Sequence, residues 1–326
     1  MSSSSVSSPP AVSYVVIAYN EAAAIVNCLS SISAQDDGST YEILVVDDHS
    51  TDRTSQLVLE FAADRPEIEL LRHGTNLGRG AARSTGVAAA KADLIAMVDA
   101  DIILPKDWLR RCRSALSANA ADAVGGVAVP DGDVAYVHRK FSLTPKITSM
   151  TTQVPGSNGL FRREVFDLVS VDPSLVEGED VALNFAMRKA GLRCISIGDL
   201  LVEHCENKDF FHSMGWLYQS GKGASRQLIR YGKVRTPDMA FGALIVVGAL
   251  SIISRRRGAD GRLVLAALSV YLFGVSGAQM IKKFRFRGTK MNWVFATMVN
   301  TALISSYFAG RIVGLPDALR DRTAAQ

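Results

Sequence analysis

Three acidic stretches carry the residues whose types and spacing best suit chemistry: Asp47-Asp48, Asp99-Ala100-Asp101 and Glu179-Asp180. Asp99 and Asp101 follow the apolar run of DLIAMV. Residues i and i+2 of a strand face the same side, so both carboxylates can address one ligand. A hard divalent cation fits such a pair: Mg²⁺ keeps several waters and needs only one or two protein carboxylates. The competing account is that a strand must stop somewhere and Asp is common in the turn that follows. For Asp47 and Asp48 the competing account is helix capping, although Ser50, Thr51 and Asp52 are better placed to cap. Glu179 and Asp180 open a helical pattern, where the helix dipole favours carboxylates in any case. His204 ends the stretch LLVEH and can complete a metal site, although a lone histidine is more often structural.

The elements that must position these groups are legible as periodicity. SYVVIAY (13–19), EILVVD (42–47), IELLR (68–72) and DLIAMVD (93–99) read as buried strands. Between them lie NEAAAIVNCLSSI, TDRTSQLVLEFAA and LGRGAARSTGVAAAKA, each with helical apolar spacing. Such alternation predicts a largely parallel sheet with helices on both faces. Ligands bind such sheets beyond the carboxyl ends of the strands, which sets Asp48 and the Asp99–Asp101 pair on one rim. A second region, 122–204, mixes short strands with a helix over 179–191 that Gly191 ends as a C-cap.

Charge divides the chain. Of 36 Lys and Arg and 32 Asp and Glu, the segment 205–326 holds 18 and 6, leaving the front acidic. The basic rear also holds three apolar runs, 239–254, 263–281 and 291–310, separated by RRRGADGR and KKFRFRGTK. Their lengths approach the roughly 17–25 residues of a bilayer crossing, and the basic charge suits a membrane surface better than nucleic acid. The expectation is a disordered tail over 1–10, a cytoplasmic catalytic domain over 11–205 and an amphipathic interface segment over 206–238. About three transmembrane helices over 239–315 and a short tail over 316–326 follow, in the inner or plasma membrane. The lysine-rich KKFRFRGTK loop then lies inside. Gly310 and Gly314 have GxxxG spacing, but the intervening Arg311 argues against a membrane dimer motif. The four cysteines lack metal-site or disulfide spacing.

Taken in order, these motifs resemble the family 2 glycosyltransferases with a GT-A fold, a Rossmann-like mixed, mostly parallel α/β sheet. VVIAYNEAAAI is similar to the first strand and helix, which implies that Ala18, Tyr19, Asn20 and Glu21 border a nucleotide. VVDDHSTDRT resembles the nucleotide-binding aspartate motif, implying that Asp48 accepts hydrogen bonds from a uracil-type base. TNLGRGAARSTG matches the NxGxxxARNxG turn at Asn76, Gly78, Ala82, Arg83 and Gly86, with Ser84 in place of the usual Asn. VDAD resembles the DxD motif. By that match Asp101 ligates a divalent metal, Mg²⁺ or Mn²⁺, and Asp99, next to Ala100, contacts the ribose or the metal's hydration shell. PGSNGLFRR looks like the loop lining the sugar site, with Gly156, Ser157 and Asn158. GEDVALNFAMRKAG resembles the ED motif, which implies Asp180 as general base beside Glu179. Gln227, Arg230 and Tyr231 are similar to a QxxRW acceptor motif in which Tyr replaces Trp.

The resemblance implies a membrane-anchored inverting glycosyltransferase using a UDP- or GDP-type sugar, closest to succinoglycan-type enzymes. Its acceptor would be a lipid-linked or surface glycan. A polyprenyl-phosphate sugar synthase is the near alternative; its anionic acceptor would not need the base. A non-catalytic anchor subunit of a polysaccharide-export complex is the alternative from another class, against which the intact Asp99, Asp101 and Asp180 argue.

Overall fold

The computed structural model describes residues 9–130, 148–151, 153–205, 210–232, 234, 270, 274 and 293–324. The chain divides into two compact units, residues 1–132 with 145–206 and residues 133–144 with 207–326.

The first unit opens with strands β1 (Val12–Ala18), β2 (Tyr41–Asp47), β3 (Ile68–Arg72) and β4 (Leu94–Asp99), within one residue of the expected runs. Helices α1 (Ile25–Ser33), α2 (Thr54–Ala62) and α3 (Arg79–Ala89) connect them. β5 (Ile102–Ile103), α4 (Trp108–Ala118), β6 (Ala123–Pro130), β7 (Ser149–Thr151), β8 (Asn158–Arg162), α5 (Glu164–Leu168), α6 (Glu179–Lys189) and β9 (Cys194–His204) complete the unit. The sheet runs β3-β2-β1-β4-β8-β6-β9-β5, with β7 on β9. Its first four strands are parallel, and β8 then enters antiparallel between β4 and β6. The chain reverses its direction of travel between β1 and β4, so a crevice opens at the carboxyl ends of β1, β2 and β4.

Both faces of the sheet are covered, which is why its strands are apolar runs rather than alternating patterns. Tyr14, Val16 and Ala18 of β1 pack with α1, α2 and α4 residues such as Leu29, Val58 and Trp108. Val15 and Ile17 point the other way, into a cluster with Ala82 of α3. Beyond it, Met97, Phe161, Leu183 and Met187 seat α6.

The second unit contains α7 (Phe210–Tyr231) and α8 (Trp293–Ala324). These two helices meet backbone to backbone. A Cβ on Gly221 would strike the carbonyl of Tyr307, one on Gly310 the carbonyl of Tyr218, and one on Gly314 the backbone of Lys222. The spacing of Gly310 and Gly314 is therefore a packing signal after all, directed at α7. Ser225 Oγ donates to the Arg311 carbonyl at 2.8 Å, and Ser306 Oγ to the Met214 carbonyl at 2.6 Å.

The expectation of C-terminal transmembrane helices is corrected here. Among the described residues, no helix is long and apolar enough to cross a membrane. The third apolar run falls in α8, whose buried positions include Thr297, Asn300 and Arg311, and which carries Pro316 within it. A span in hydrocarbon would have to satisfy those polar groups internally. The runs 239–254 and 263–281 lie outside the described residues, apart from Val270 and Gly274.

Candidate active site

A cavity of about 260 Å³ opens at the carboxyl ends of β1, β2 and β4. Ala18, Tyr19 and Glu21 line it from the loop after β1, Asp48 from the loop after β2, and Asp99, Ala100 and Asp101 from the end of β4. Asn76 and Gly78, just before α3, close another side. Nine expected residues thus share one wall system, because parallel strands deliver their following loops to the same rim.

Local hydrogen bonds fix that rim. Asn20 adopts a positive φ of 57°. Its Oδ1 accepts from the Thr51 amide at 2.8 Å and the Asp52 amide at 3.3 Å, while its own amide donates to Ser50 Oγ at 2.9 Å. The Glu21 amide donates to Thr54 Oγ1 at 2.8 Å. Asn20 therefore joins two loops and does not itself line the cavity. Asp47 accepts from the Ser50 amide at 2.9 Å and from Ser55 Oγ, so it shapes the turn before α2. Asp48 is 4 % exposed. Its Oδ1 accepts from His73 Nδ1 at 2.7 Å and the Leu77 amide at 2.9 Å, and its Oδ2 from the Gly78 amide at 2.7 Å. Gly78 needs its φ of 91°, and any Cβ there would strike Val176.

Arg83 is the hub behind the cavity, only 2 % exposed. Nε donates to Glu179 Oε1 at 2.9 Å, Nη1 to the Gly156 carbonyl at 2.5 Å, and Nη2 to Asp99 Oδ1 at 2.6 Å. One guanidinium thus ties α3 to α6, to the loop before β8 and to the end of β4. Gly156 threads between Arg83 and Asp180, where a Cβ would lie 2.9 Å from that of Asp180. Asn184 of α6 pins the same loop, accepting from the Val154 amide at 2.7 Å and donating to the Val154 carbonyl at 2.8 Å. Ser157 offers its carbonyl to the Asp99 amide at 3.2 Å, and buried Asn158 accepts from the Gly126 amide at 2.8 Å. Gly156, Ser157 and Asn158 therefore brace the site from outside the cavity lining.

The charges respond to this crowding. Burial pushes Asp99 up, but Arg83, Arg79 and His204 outweigh it and hold its carboxyl below the usual range. For Glu179 burial wins over Arg83, and its pKa is raised. Oε2 of Glu179 has no hydrogen-bond partner among the described residues. Glu179 does not line the cavity. Asp180, half-buried on the first turn of α6, accepts from the Val181 amide at 2.7 Å through Oδ1.

Asp101 and His204 meet because β5 pairs with β9, setting Ile102 against His204. Their side chains approach to 2.9 Å at Asp101 Oδ2 and His204 Nε2. Among the described residues no group of three His, Cys, Asp or Glu side chains is gathered for a metal. Asp99 is turned toward Arg83 instead. The Asp101–His204 pair still supplies one oxygen and one nitrogen donor at the rim, a set that suits Mg²⁺ or Mn²⁺ with water and ligand oxygens filling the remaining positions.

Two polar cavity residues were not singled out in the sequence: Arg79 and Glu177. Arg79 is solvent-exposed. Partial desolvation works against its charge, but Asp99, Glu179, Glu177 and Asp101 offset it and raise its pKa. Its position one residue after Gly78 was the available signal. Gln227, Arg230 and Tyr231 belong to the second unit, on α7; Gln227 is buried, Arg230 exposed and Tyr231 half-buried.

Residues 13–169 match the family described as Glycosyl transferase family 2. Glycosyltransferase AglE of Haloferax volcanii is 30% identical over 227 residues, 66% of this chain and 73% of that protein. The succinoglycan biosynthesis protein ExoO of Rhizobium meliloti is 35% identical over 208 residues, 57% of this chain and 58% of that protein. Among solved structures, the mannosyltransferase PcManGT of Pyrobaculum calidifontis, in complex with GDP-Man and Mn²⁺, superposes with a TM-score of 0.59. It is 21% identical, over 95% of this chain and 88% of that one, a likeness of fold.

Proposed function

The chain belongs to glycosyltransferase family 2, and from that premise we propose that its cavity holds a nucleotide-diphosphate sugar for transfer to a glycan or lipid-linked acceptor. The observation that carries the proposal is the cavity itself. Asp48, Asp99, Asp101 and the exposed Arg79 converge on one space at the carboxyl ends of three parallel strands.

In this reading Arg79 faces the diphosphate, as a charge-assisted donor to anionic oxygens. Asp101 and His204, with Asp99 beside them, would hold a divalent cation, which when bound would supply positive charge to offset that of the diphosphate leaving group. Arg83 keeps the carboxylate of Asp99 and the backbone at Gly156 in register, and Glu179 acts through Arg83 as a positioning residue. Asp180 is the base. Its Oδ2 has no hydrogen-bond partner among the described residues, while Oδ1 is held by the Val181 amide. As the acceptor hydroxyl gives its proton to Asp180, its oxygen bonds the anomeric carbon. The bond from that carbon to the diphosphate oxygen breaks, and the electron pair leaves with the diphosphate. One displacement inverts the anomeric centre.

Incubating the protein with a panel of nucleotide sugars and Mn²⁺, and following release of the nucleoside diphosphate, tests this directly. Turnover of at least one donor is expected. If none is bound or consumed, the reading is wrong.

A further inference from the structure

We infer that Asn184 is a positioning residue for the transfer step: its side-chain amide fixes the Val154–Ser157 loop against the helical turn that carries Asp180. The inference rests on the donor reading given above, with Asp180 as base. It adds a residue that lies outside the acidic motifs and on which the rate depends.

Asn184 stands on α6 one turn after Asp180 and is buried. From there its side chain leans back over that turn. Oδ1 accepts from the Val154 amide at 2.7 Å. Nδ2 gives one hydrogen to the Val154 carbonyl and the other to the Asp180 carbonyl, both at 2.8 Å. The amide therefore pairs with both main-chain groups of one loop residue, as a neighbouring strand would, and also grips the residue that holds the base. This takes an acceptor and two donors on one planar head; a carboxylate would set oxygen against two carbonyls.

The constraint passes along two residues to the base. Val154 and Pro155 press on the sheet: a Cβ on Gly125 would lie 2.7 Å from Pro155 Cδ, and one on Gly159 2.8 Å from Val154 Cγ1. Gly156 then passes beneath Asp180 so closely that only a glycine fits. With the loop released at Val154, Gly156 can draw away and the side chain of Asp180 gains room. A misplacement of about 1 Å at a reacting group can cost roughly a hundredfold in rate. Neither Asn184 nor Val154 lines the cavity, so the loss should fall on turnover and spare donor binding.

Asn184→Ala and Asn184→Ser, each with and without Asp180→Asn, test the inference on the nucleotide sugar that the wild type turns over fastest in Mn²⁺. Release of nucleoside diphosphate gives kcat, calorimetry the donor Kd, and thermal melting the fold. For Asn184→Ala, kcat should fall roughly ten- to hundredfold with Kd within about twofold of the wild type. Asn184→Ser, which keeps one hydrogen-bonding group, should lose less. Added to Asp180→Asn, either substitution should change kcat by less than about threefold, because both act on one step. An unchanged kcat, a loss that appears in Kd instead, losses that multiply in the double variants, or failure of both single variants to fold overturns the inference and leaves the donor reading intact. If the wild type turns over no donor, the donor reading fails, and the role of Asn184 with it.

Discussion

Nη2 of Arg83 lies 2.6 Å from Oδ1 of Asp99. The first carboxylate of the Asp99–Asp101 pair is therefore engaged by the protein itself, and only Asp101, beside His204, has its side chain turned to a partner suited to share a cation. The two aspartates sit one residue apart in the sequence and divide their tasks in space. Arg83 also holds Glu179 at 2.9 Å. Three elements depend on one cation.

Arg83→Met should therefore be severe. It leaves two carboxylates at a largely buried site without their counter-charge, a change expected to cost about 3–5 kcal/mol. Arg83→Lys should recover only part of this, because an ammonium cannot span three partners with a planar fork. Urea denaturation of the variants reads both. A loss below about 1 kcal/mol for Arg83→Met would show that the hub carries little of the fold.

The same pair sets a pH dependence. Asp99 has its pKa lowered in the fold, so its contribution to stability is complete above the unfolded value, near about 4, and is lost as pH falls through the lower folded value. Glu179 runs the other way. Its pKa is raised, so its contribution is present below its unfolded value, near about 4.3, and is lost as pH rises through the folded one. Thermal melts should show the deficit of Asp99→Asn shrinking below about pH 4. Glu179→Gln should gain on the wild type as pH rises above the unfolded value, about 4.3. Parallel profiles for all three proteins would contradict both directions.

Arg79 is exposed and makes no ion pair with a described residue, so Arg79→Gln should leave the melting temperature nearly unchanged. Donor affinity should still fall, by roughly ten- to hundredfold, as expected for losing a charge-assisted hydrogen bond to phosphate. Titration of the variant with nucleoside diphosphate measures this. An unchanged affinity would remove Arg79 from the diphosphate site.

Asp101→Asn should abolish transfer while the fold survives, since the side chain lies at the rim beside His204. Full turnover of the wild type in excess chelator would argue decisively against a bound cation.

Asp180→Asn should reduce turnover by about 10²–10⁴-fold with donor binding preserved. An unaffected rate would instead point to an acceptor that is already anionic, such as a lipid phosphate.

The strands and their shared rim were legible because each apolar run stops where a polar loop begins, as VVIA gives way to Tyr19-Asn20 and VVD to Asp48. Elements of this kind are local, and so is the helix from Glu179 to the Gly191 cap. What the sequence could not show was pairing across distance. Nothing near Asp48 announces that His73, 25 residues on, will fill one of its lone pairs. His204 stood as a candidate to complete the metal site, but nothing near Asp101 shows the β5–β9 ladder that brings the two side chains together. Arg79 escaped notice because its neighbours Gly78 and Arg83 carried the motif. In the second unit, apolar length suggested a bilayer, whereas Gly310 and Gly314 in fact clear a path for the α7 backbone, and Thr297, Asn300 and Arg311 of α8 are buried. Length and hydropathy do not distinguish a helix that packs against protein from one that packs against lipid.

Asn20 stitches the loop after β1 to the one after β2 through main-chain amides of Thr51 and Asp52, so that wall is held by the protein's own hydrogen bonds. Capture of a small molecule there need not wait for loops to freeze, so the association rate should be governed by diffusional encounter and be insensitive to solvent viscosity only if some slower motion elsewhere intervenes. The amides of Asn20, Glu21 and Thr51, each bonded within the protein, should likewise trade their hydrogens for deuterium slowly in the apoprotein, and at nearly the same pace once the cavity is filled.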